Sequence, residues 1–299
     1  MIRFILIWLF EWVWCLSNLV INPRKLSYKH GFKREVRCKS FDHKTYETWR
    51  RKSFALKSQY GYSLSCELLE ENVPQEEGKD KKIAILCHGL GCAKYQSIKY
   101  AQLFIKLGYT VLIYDHRNHG LSGKASTSMG YFEKFDLKHI VTWCKTKYGR
   151  ECKIITHGES MGAATVLLHM EIDDLVDCVI ADCSYSDFRT LLRHQLKQFY
   201  HLPPVIIPIE NIIIYFRAGF WLKEVSPIQG IKYNETPVLL IHGKRDNFVP
   251  SCMSKELYHE KKKNKALYLV AKAKHAESYC TNKMGYEKRV TEFLEKYMK

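Results

Sequence analysis

From residue 83 onward, short apolar runs alternate with longer segments whose apolar residues recur every three or four positions. Short apolar runs bounded by turn residues are typical of buried strands, and the longer periodic segments are typical of helices that cover a sheet. The predicted strands are 83–87, 110–114, 153–156, 176–181, 236–241 and 266–271. The predicted helices lie near 94–107, 132–148, 160–171, 251–262 and 283–298. This alternation predicts an α/β fold with a mostly parallel, doubly wound sheet that has helices on both faces.

Two segments depart from this alternation. Residues 53–69 form two strand-like runs around a turn at Tyr60 and Gly61, which predicts an antiparallel hairpin before the parallel strands. Residues 184–225 separate two predicted strands and are more apolar than a surface connection requires. Connections of this length are usually functional when they are ordered. We therefore expect either a plain pair of packed helices or a helical lid whose inner face lines an apolar pocket.

Residues 1–22 predict a membrane anchor. Between positions 2 and 21, twelve residues are Leu, Ile, Val or Phe and three more are Trp. Those twelve contribute about −4 to −7 kcal/mol to membrane insertion, against about +3 kcal/mol for Glu11. Because no small-residue cleavage site follows, we interpret the segment as a single uncleaved anchor helix. Polar residues at helical spacing leave open an alternative in which the helix lies along the membrane surface; they are Glu11, Cys15, Asn18 and Asn22.

Residues 23–52 are polar and aromatic, and we predict that they form a juxtamembrane linker before the main domain, residues 53–299. Basic residues crowd positions 24–37, whereas only Arg3 and the amino terminus precede the apolar segment. The positive-inside rule then predicts that the main domain lies in the cytoplasm. The eleven cysteines fit this location, because they are scattered without C-x-x-C pairs and resemble reduced core thiols more than a disulfide framework.

The net charge of +16 is spread along the chain, with clusters only at 24–39 and 255–265. Such an excess of basic residues would suit nucleic acid or an anionic lipid surface. The sequence contains no groove-reading motif and no basic-aromatic repeat, so no nucleic-acid partner is expected. The expected partners are therefore a small-molecule or lipid ester substrate and a membrane, and the sequence indicates no oligomeric state.

The pentapeptide GESMG, residues 158–162, lies between a predicted strand and a predicted helix. One interpretation of Ser160 is a helix N-cap, whose hydroxyl accepts a hydrogen bond from a free backbone N–H. The other is the nucleophile elbow G-x-S-x-G, in which two glycines let the strand and the helix pack closely around an exposed serine oxygen. The choice between them depends on partner residues elsewhere in the chain.

Those partners are expected at the carboxyl ends of strands, where open α/β sheets bind their ligands. Asp246 and His275 each follow a predicted strand, although either alone would also suit an ordinary turn or surface loop. A serine hydroxyl needs a base to remove its proton, and a carboxylate orients an imidazole base and stabilises its positive charge. We therefore predict Ser160 as nucleophile, His275 as base and Asp246 as acid. Asp182, after another strand, is the alternative acid.

A tetrahedral intermediate also needs N–H donors for its oxyanion. The string HGLG, residues 88–91, directly follows the first parallel strand, and its glycines permit the backbone to turn N–H groups towards the serine. We predict that the N–H groups of Leu90 and Met161 form this oxyanion hole. Removing one such donor from an enzyme costs about 3–4 kcal/mol, so the pair would supply a large share of the catalysis. An ordinary glycine turn without a ligand is the alternative.

Asp115, His116 and His119 lie close together in the sequence and would suggest a metal site. No further cluster of ligand residues accompanies them, so we predict neither a metal nor a cofactor. Asp115 and Arg117 are instead expected to brace the loops beside the nucleophile.

Taken together, these motifs resemble those of the α/β-hydrolase superfamily. The resemblance covers residues 53–299 and is strongest to a bacterial group of serine-aminopeptidase-like, lysophospholipase-like and monoacylglycerol-lipase-like hydrolases, often with an N-terminal membrane segment. It rests on the strings HGLG, YDHRNHGLSG, GESMGAAT, PVLLIHGKRDNFVP and AKHAESY. The resemblance implies the α/β-hydrolase fold and assigns the same roles to five residues: Ser160, Asp246, His275, Leu90 and Met161.

One position departs from the family pattern, because Asn118 stands where related sequences commonly have glycine in an R-G-H-G string. It belongs to a supporting loop and leaves the predicted catalytic residues unaffected. We predict a membrane-tethered serine hydrolase that cleaves carboxylic esters such as monoacylglycerols or lysophospholipids through an acyl-enzyme. The alternatives are a peptidase or thioesterase that uses the same residues, and a non-catalytic membrane-tethered scaffold.

Overall fold

One mixed sheet organises the chain, which the computed structural model describes for residues 11, 14–37, 41–72 and 81–298. Over these residues, eight strands lie in the order β1-β2-β4-β3-β5-β6-β7-β8. They are β1 (Arg50–Lys57), β2 (Ser63–Glu70), β3 (Lys82–Cys87), β4 (Thr110–Tyr114), β5 (Lys153–Glu159), β6 (Cys178–Asp182), β7 (Val238–Gly243) and β8 (Lys265–Val270). β2 pairs antiparallel with β1 and β4, whereas the other neighbouring pairs are parallel. The predicted α/β fold, with a mostly parallel sheet and an N-terminal hairpin, is confirmed.

Helices cover both faces of the sheet. In chain order they are α1 (residues 14–21), α2 (Tyr28–Arg37), α3 (His43–Thr48), α4 (Ile98–Lys106), α5 (Glu133–Tyr148), α6 (Met161–His169), α7 (Phe188–Gln195), α8 (Ile207–Ala218), α9 (Pro227–Gly230), α10 (Cys252–Glu260), α11 (Ser278–Thr281) and α12 (Lys283–Tyr297). α4 and α12 pack on one face, through residues such as Phe104 and Val290. α5, α6 and α10 pack on the other, through residues such as Ile140, Val166 and Leu257. Burial on both faces explains why the parallel strands are nearly continuous apolar runs.

The predicted strands and helices match the observed ones to within about three residues at each end. The exception is the helix predicted from residue 94, where a 3-10 turn, Lys94–Ser97, precedes α4. The largest difference among the parallel strands is in β5, which was expected to end at Thr156 and extends to Glu159. The last residues of β5 pair with both neighbouring strands, β3 and β6. This pairing carries the strand directly to Ser160.

The described residues within 23–52, the range predicted as a juxtamembrane linker, pack against the α/β domain. They include α2 and α3, and β1 starts at Arg50, before the first residue of the predicted strand. Phe41, Tyr46 and Trp49 are buried and join the apolar cluster that also contains α4. Burying an aromatic ring removes a large apolar area from water, so these side chains stabilise the domain.

α1, which is the C-terminal part of the predicted anchor, also lies on the domain. Ser17, Val20 and Ile21 are buried, and the carbonyl of Ile21 accepts a hydrogen bond from the N–H of Thr127 at 2.9 Å. The rest of the predicted anchor, apart from Glu11 and Asn22, falls outside the described residues. Over the described ranges, no helix is both long enough and apolar enough to cross a membrane.

Residues 184–225 connect β6 to β7 above the carboxyl ends of the central strands. α7 and α8 are the main elements of this connection. Short helical turns lie at Leu196–Tyr200, Pro204–Ile206 and Leu222–Glu224. The inner side chains form a third apolar cluster, which also includes Val20 of α1 and Met161 of α6. We refer to residues 184–225 together with α1 as the cover.

Candidate active site

Ser160 stands at the sharp turn between β5 and α6. Its backbone has φ 56° and ψ −115°, and such a conformation costs a non-glycine residue about 1–3 kcal/mol. Two backbone hydrogen bonds hold the turn: the Ser160 N–H donates to the Asp182 carbonyl at 2.9 Å, and the Ala164 N–H donates to the Ser160 carbonyl at 3.0 Å. Ser160 occupies the N-cap position, yet within the described residues its hydroxyl caps no helix N–H. The turn therefore leaves the hydroxyl available to another partner.

Gly158 and Gly162 allow this tight turn. A Cβ atom on Gly158 would lie 2.2 Å from the carbonyl oxygen of Gly162, and one on Gly162 would lie 2.1 Å from the carbonyl oxygen of Cys87. Both distances are far inside van der Waals contact, and the obstructing atoms belong to the backbone. The two glycines therefore let α6 start directly against the end of β3, as the elbow interpretation requires.

The structure brings the three predicted polar side chains together. His275 Nε2 lies 2.9 Å from Ser160 Oγ, and His275 Nδ1 lies 2.7 Å from Asp246 Oδ2. The three residues follow β5, β7 and β8, whose carboxyl ends share one edge of the sheet. Both distances are within hydrogen-bonding range. The arrangement is therefore a continuous chain of hydrogen bonds from a hydroxyl to a carboxylate.

Asp246 is held in its ionised form. Burial acts to raise the pKa of its carboxyl, but hydrogen bonds from His242, His275 and the N–H of Val249 outweigh burial and lower the pKa to about 2. The N–H groups of Phe248 and Val249 donate to Oδ1 at 2.9 and 2.8 Å. An ionised carboxylate only accepts hydrogen bonds, so His275 donates through Nδ1. The lone pair of Nε2 then faces the serine hydroxyl.

Asp182, the alternative acid, lies behind the nucleophile. Its carboxyl group is 3.4 Å from the hydroxyl of Tyr100. Burial, followed by the neighbouring carboxylate of Glu159, raises the pKa of Asp182 to about 7. Glu159 itself forms an ion pair with Lys99 at 2.6 Å. Asp246 is thus the carboxylate that contacts the imidazole, and Asp182 belongs to a separate buried polar group.

We call Ser160, His275 and Asp246 the triad, and two histidines outside it shape the loop after β3. His119 Nε2 accepts the N–H of Gly91 at 3.1 Å, and His119 Nδ1 donates to the Arg117 carbonyl at 2.8 Å. His88 Nδ1 donates to the Gly89 carbonyl at 2.8 Å, while Nε2 accepts a backbone N–H from the loop after β4 at 3.0 Å. Burial lowers the pKa of His88 to about 3, and a neutral imidazole can donate and accept at once. From the sequence, His119 was considered only as a possible metal ligand. Its contact with Gly91 was missed, because the two residues are 28 positions apart.

The N–H groups of Leu90 and Met161 belong to the two segments that adjoin Ser160. Met161 follows it directly, and the loop that carries Leu90 lies so close that a Cβ atom on Gly89 would be 3.5 Å from the Cβ of Ser160. In the part of the chain that the structure describes, neither N–H donates to a protein acceptor. Two unpaired N–H groups beside one hydroxyl can receive an oxyanion.

Asp115 and Arg117, expected to brace the neighbouring loops, lie in the loop after β4. The Asp115 carboxylate accepts the N–H of Lys94 at 2.7 Å, the N–H of Leu121 at 3.0 Å and the hydroxyl of Tyr28. The Arg117 guanidinium lies 4.7–4.9 Å from the centroids of three aromatic rings. These rings belong to Tyr60, Tyr62 and Phe132. Both side chains therefore tie separate segments of the chain together next to the site.

The geometry of Asn118 accounts for its departure from the family glycine. Its φ of 61° lies in the left-handed region, which favours glycine and tolerates asparagine better than most residues. Its side-chain oxygen accepts from Lys25 Nζ at 2.8 Å, and its amide nitrogen donates to the carbonyl of Ile21 at 3.3 Å. Glycine has no side chain for either bond. Asn118 thus links the supporting loop to the end of α1.

An apolar cleft opens between the cover and the triad. The space between its walls is about 720 Å³, a volume that includes open solvent. The ring of Phe248, in its wall, lies 5.0 Å from the ring of His275. The walls are formed by Leu16, Leu19, Val20, Leu90, Met129, Phe188, Leu192, Gln195, Leu196, Tyr200, Ile206, Glu210 and Phe248. Three of these residues, Leu16, Leu19 and Val20, belong to α1. Their place in the cleft was not predicted from the sequence, because an apolar helix has the same pattern whether it faces a cleft or a bilayer.

One group of potential metal ligands coincides with the triad. Within the described residues, the side chains of Cys183, Asp246 and His275 place their ligand atoms within 4.8 Å of one another. Burial raises the pKa of the Cys183 thiol well above its ordinary value, so this cysteine is a poor source of the thiolate that a metal needs. The ligand atoms of Asp246 and His275 are hydrogen-bonded to each other. The group is therefore better suited to proton transfer than to metal binding.

Comparison with known proteins places this geometry in context. Residues 84–207 match the family model described as alpha/beta hydrolase fold. The uncharacterized protein YqkD of Bacillus subtilis (strain 168) is 36% identical over 283 residues, which cover 93% of this chain and 90% of YqkD. Lysophosphatidylserine lipase ABHD12 of Xenopus tropicalis is 23% identical over 175 residues, 54% of this chain and 42% of the lipase. The solved structure of the Pyrococcus furiosus esterase Pf2001 superposes with a TM-score of 0.69 at 25% identity, covering 87% of this chain and 97% of the esterase.

Proposed function

Because this chain belongs to the α/β-hydrolase fold family, we propose that it is a serine hydrolase that cleaves carboxylic esters through an acyl-enzyme. The observation that carries this proposal is the chain of hydrogen bonds from Ser160 through His275 to Asp246, at 2.9 and 2.7 Å. A non-catalytic scaffold would need neither this relay nor a serine held in a costly backbone conformation. The name of the esterase Pf2001 supports the choice of an ester as substrate.

In the first half of the proposed reaction, His275 Nε2 takes the proton of the Ser160 hydroxyl as Oγ attacks the ester carbonyl carbon. The N–H groups of Leu90 and Met161 stabilise the oxyanion that forms. The Asp246 carboxylate stabilises the imidazolium. When the tetrahedral intermediate collapses, the bond between the acyl carbon and the alcohol oxygen breaks, and His275 protonates the leaving alcohol.

In the second half, a water molecule gives a proton to His275 Nε2 and attacks the acyl carbon of the acyl-enzyme. The second tetrahedral intermediate uses the same two N–H donors. Its collapse breaks the bond to Ser160 Oγ, which recovers its proton from His275, and the carboxylic acid leaves. One ester and one water thus yield one acid and one alcohol, and the enzyme is regenerated.

We propose that the acyl part of the substrate is lipid-like, as in a monoacylglycerol or a lysophospholipid. The support is the cleft, whose walls are mostly aliphatic and aromatic side chains. Each methylene group that leaves water contributes about 0.8 kcal/mol, so a longer acyl chain gains binding energy along these walls. The name of the lysophosphatidylserine lipase ABHD12 is compatible with such a substrate.

We also propose that the cover docks on a lipid surface. Four apolar residues on the outside of the cover, spaced three or four positions apart, are 43–80% exposed, and this spacing places them on one helix face. They are Val205, Ile209, Ile212 and Phe216, and we call them the outer stripe. An isolated apolar stripe of this kind on a soluble surface is unfavourable unless something covers it.

The occupant that we assign to the outer stripe is a bilayer, because α8 lies beside α1, and α1 follows an apolar stretch of the sequence. Arg217, at the end of α8, donates to the carbonyl of Trp14 at 2.7 Å and to Asn18 Oδ1 at 2.8 Å, which fixes α1 beside α8. α1 follows the apolar residues 2–13. The net charge of +16 favours anionic lipid headgroups. This arrangement corresponds to attachment along the membrane surface.

The reaction is tested by labelling the full chain with a fluorophosphonate, which reacts with activated serines. We expect labelling of the wild type and none of Ser160→Ala, because the probe needs the nucleophile. Ser53→Ala is a matched control at an exposed serine on β1, and it should be labelled like the wild type. Absence of labelling in the wild type, or equal labelling of Ser160→Ala, would contradict the proposal that the protein is a serine hydrolase. The protein would then be better described as a non-catalytic scaffold.

The same preparations then test the lipid-like substrate with esters of one alcohol and increasing acyl length. We expect kcat/KM of the wild type to rise with chain length until the cleft is filled. A flat profile, or a preference for the shortest ester, would contradict the proposal of a lipid-like substrate. It would not contradict the proposed ester hydrolysis.

A further inference from the structure

α8 buries its glutamate and exposes several of its apolar residues. Glu210, in the first turn of α8, is only 5% exposed, whereas Ile209 and Ile212 beside it belong to the exposed outer stripe. α8 also buries Ile207, Ile213 and Ile214, but a helix that only packed on the domain would place the acid outside and Ile209 or Ile212 inside. Packing of the domain therefore does not explain why Glu210 faces inward.

Glu210 lines the apolar cleft that leads to the triad. Its neighbours in the wall include Val20, Leu196 and Ile206. Among the described residues, no group forms a hydrogen bond with its buried oxygen Oε2. Burial of a polar group without a partner is destabilising, and more so if the group is charged. Folding alone would therefore favour leucine at this position, so the carboxyl group points to a ligand.

The cation that acts on Glu210 from its own helix is Arg217, two turns further along. Arg217 donates its hydrogen bonds to α1, at the Trp14 carbonyl and at the side chains of Ser17 and Asn18. Burial raises the pKa of Glu210 to about 7, and the charge of Arg217 acts in the opposite direction. Whether protonated or ionised, the carboxyl group can accept a hydrogen bond.

We propose that Glu210 is a specificity-determining residue that accepts a hydrogen bond from a hydroxyl group of the substrate. This inference rests on the proposed ester hydrolysis at Ser160 and names the polar feature that the cleft selects. A hydroxyl group fits better than an ammonium group, because the positive charge of Arg217 and the apolar walls both disfavour a buried cation. A cleft with long apolar walls and one acceptor suits an acyl ester that carries a hydroxyl group.

The test compares four octanoyl esters on the full-length protein. Propyl octanoate has no hydroxyl group, glycerol mono-octanoate has two on the alcohol side, propyl 8-hydroxyoctanoate has one on the acyl side, and octanoylcholine has a cation without a hydroxyl group. We expect kcat/KM to be about tenfold or more higher for one of the hydroxylated esters than for the propyl ester, because a buried acceptor rejects an analogue that leaves it unpaired. The preferred ester shows which side carries the hydroxyl group.

Two substitutions connect this preference to Glu210. Glu210→Leu should reduce the preference about tenfold, and Glu210→Gln should keep part of it, because the amide oxygen still accepts. Glu235→Leu, which removes an exposed acid elsewhere, should behave like the wild type. An equal loss of activity on all esters with Glu210→Leu would indicate a structural role, and a preference for octanoylcholine that Glu210→Leu abolishes would indicate recognition of a cation. Either result overturns the proposal.

Binding separates this inference from the reaction itself. The ether analogue of the preferred ester, which cannot be hydrolysed, is glycerol mono-octyl ether for a hydroxyl group on the alcohol side and 8-propoxyoctan-1-ol for one on the acyl side. It should raise the melting temperature of the wild type and of Ser160→Ala by more than that of Glu210→Leu. Glu210→Leu alone should melt no lower than the wild type, since it loses an unpaired buried carboxyl group. Stabilisation by the ether that depends on Glu210, without ester hydrolysis, would contradict only the proposed reaction. Ester hydrolysis that is indifferent to Glu210 would contradict only this inference.

Discussion

The floor of the site and its cover are built from different interactions. In the floor, formed by the strand-end loops that carry Ser160, Asp246 and His275, directional hydrogen bonds fix each of these side chains. In the cover, most contacts are between apolar side chains, and Arg217 supplies three hydrogen bonds that tie α8 to α1. Directional hydrogen bonds thus position the side chains of the floor, whereas burial of apolar area holds the cover in place.

This difference suggests separate roles. Proton transfer and attack on a carbonyl require atoms placed to within about half an ångström, which a network of short hydrogen bonds provides. Apolar contacts have no fixed direction, so a cover made from them can adjust to acyl chains of different lengths and lie against lipid. Changes in the floor should therefore act on the chemical step or on stability, and changes in the cover should act on binding.

The largest effect is expected for Asp246→Asn in the floor. The amide keeps the size of the side chain but can donate to His275 Nδ1, which favours the tautomer that cannot accept the serine proton. We expect kcat to fall about 10⁴-fold with a much smaller change in KM. Rates on a soluble ester measure the effect, and Asp174→Asn, at an exposed position, is the control. A loss below about tenfold would mean that Asp246 does not orient the imidazole.

The next largest effect concerns Asp182, the last residue of β6 behind the floor, where hydrogen bonding is incomplete. Its Oδ1 is buried without a partner among the described residues, and burial followed by the charge of Glu159 raises its pKa to about 7. Between about pH 4 and pH 7 the folded protein therefore keeps a proton that the unfolded chain has released, so stability falls as the pH rises. Asp182→Asn removes this loss, which is on the order of a few kcal/mol.

Urea unfolding of the wild type and of Asp182→Asn at several pH values measures this difference. As the pH rises from 4 to 7, the free energy of unfolding of Asp182→Asn should increase relative to that of the wild type. Buried histidines such as His88 act in the opposite sense, but they are common to both proteins and cancel in the comparison. Asp174→Asn should run parallel to the wild type. Parallel curves for Asp182→Asn would show that Asp182 is ionised in the folded protein.

The floor was largely predictable from the sequence. In the cover, a lid at residues 184–225 was one of two expectations, but the part played by α1 was not predicted. Ser160, Asp246 and His275 each follow a strand, and the order of strands and helices brings the carboxyl ends of those strands to one edge of the sheet. The residue types at these ends could therefore be combined before any contact was known. The supporting contact from His119 to Gly91 was missed, because it joins two loops without any local signal.

The cover shows why the rest of the site was not predictable. An apolar helix has the same sequence whether it faces lipid or the wall of a cleft, so Leu16 and Val20 were assigned to an anchor. Likewise, Glu210 lies in an apolar segment, and the sequence alone does not say which helix face is buried. Only the tertiary packing of α8 shows that its acid points inward and its outer stripe points outward.

The smallest predicted effect lies in the cover and concerns Phe216, the most exposed residue of the outer stripe at 80%. Transfer of one such side chain from water into a lipid interface contributes about 1.5–3 kcal/mol, so Phe216→Asp should weaken binding to phospholipid vesicles about tenfold or more. Flotation with vesicles of phosphatidylcholine and an anionic phospholipid measures this binding, and Tyr233→Asp, at another exposed aromatic residue, is the matched control. Hydrolysis of a dissolved short-chain ester should be the same in both variants, because neither residue touches the floor. If Phe216→Asp binds vesicles as well as the control does, the outer stripe is not the docking surface. If Phe216→Asp also slows hydrolysis of the dissolved ester, the cover and the floor do not act independently.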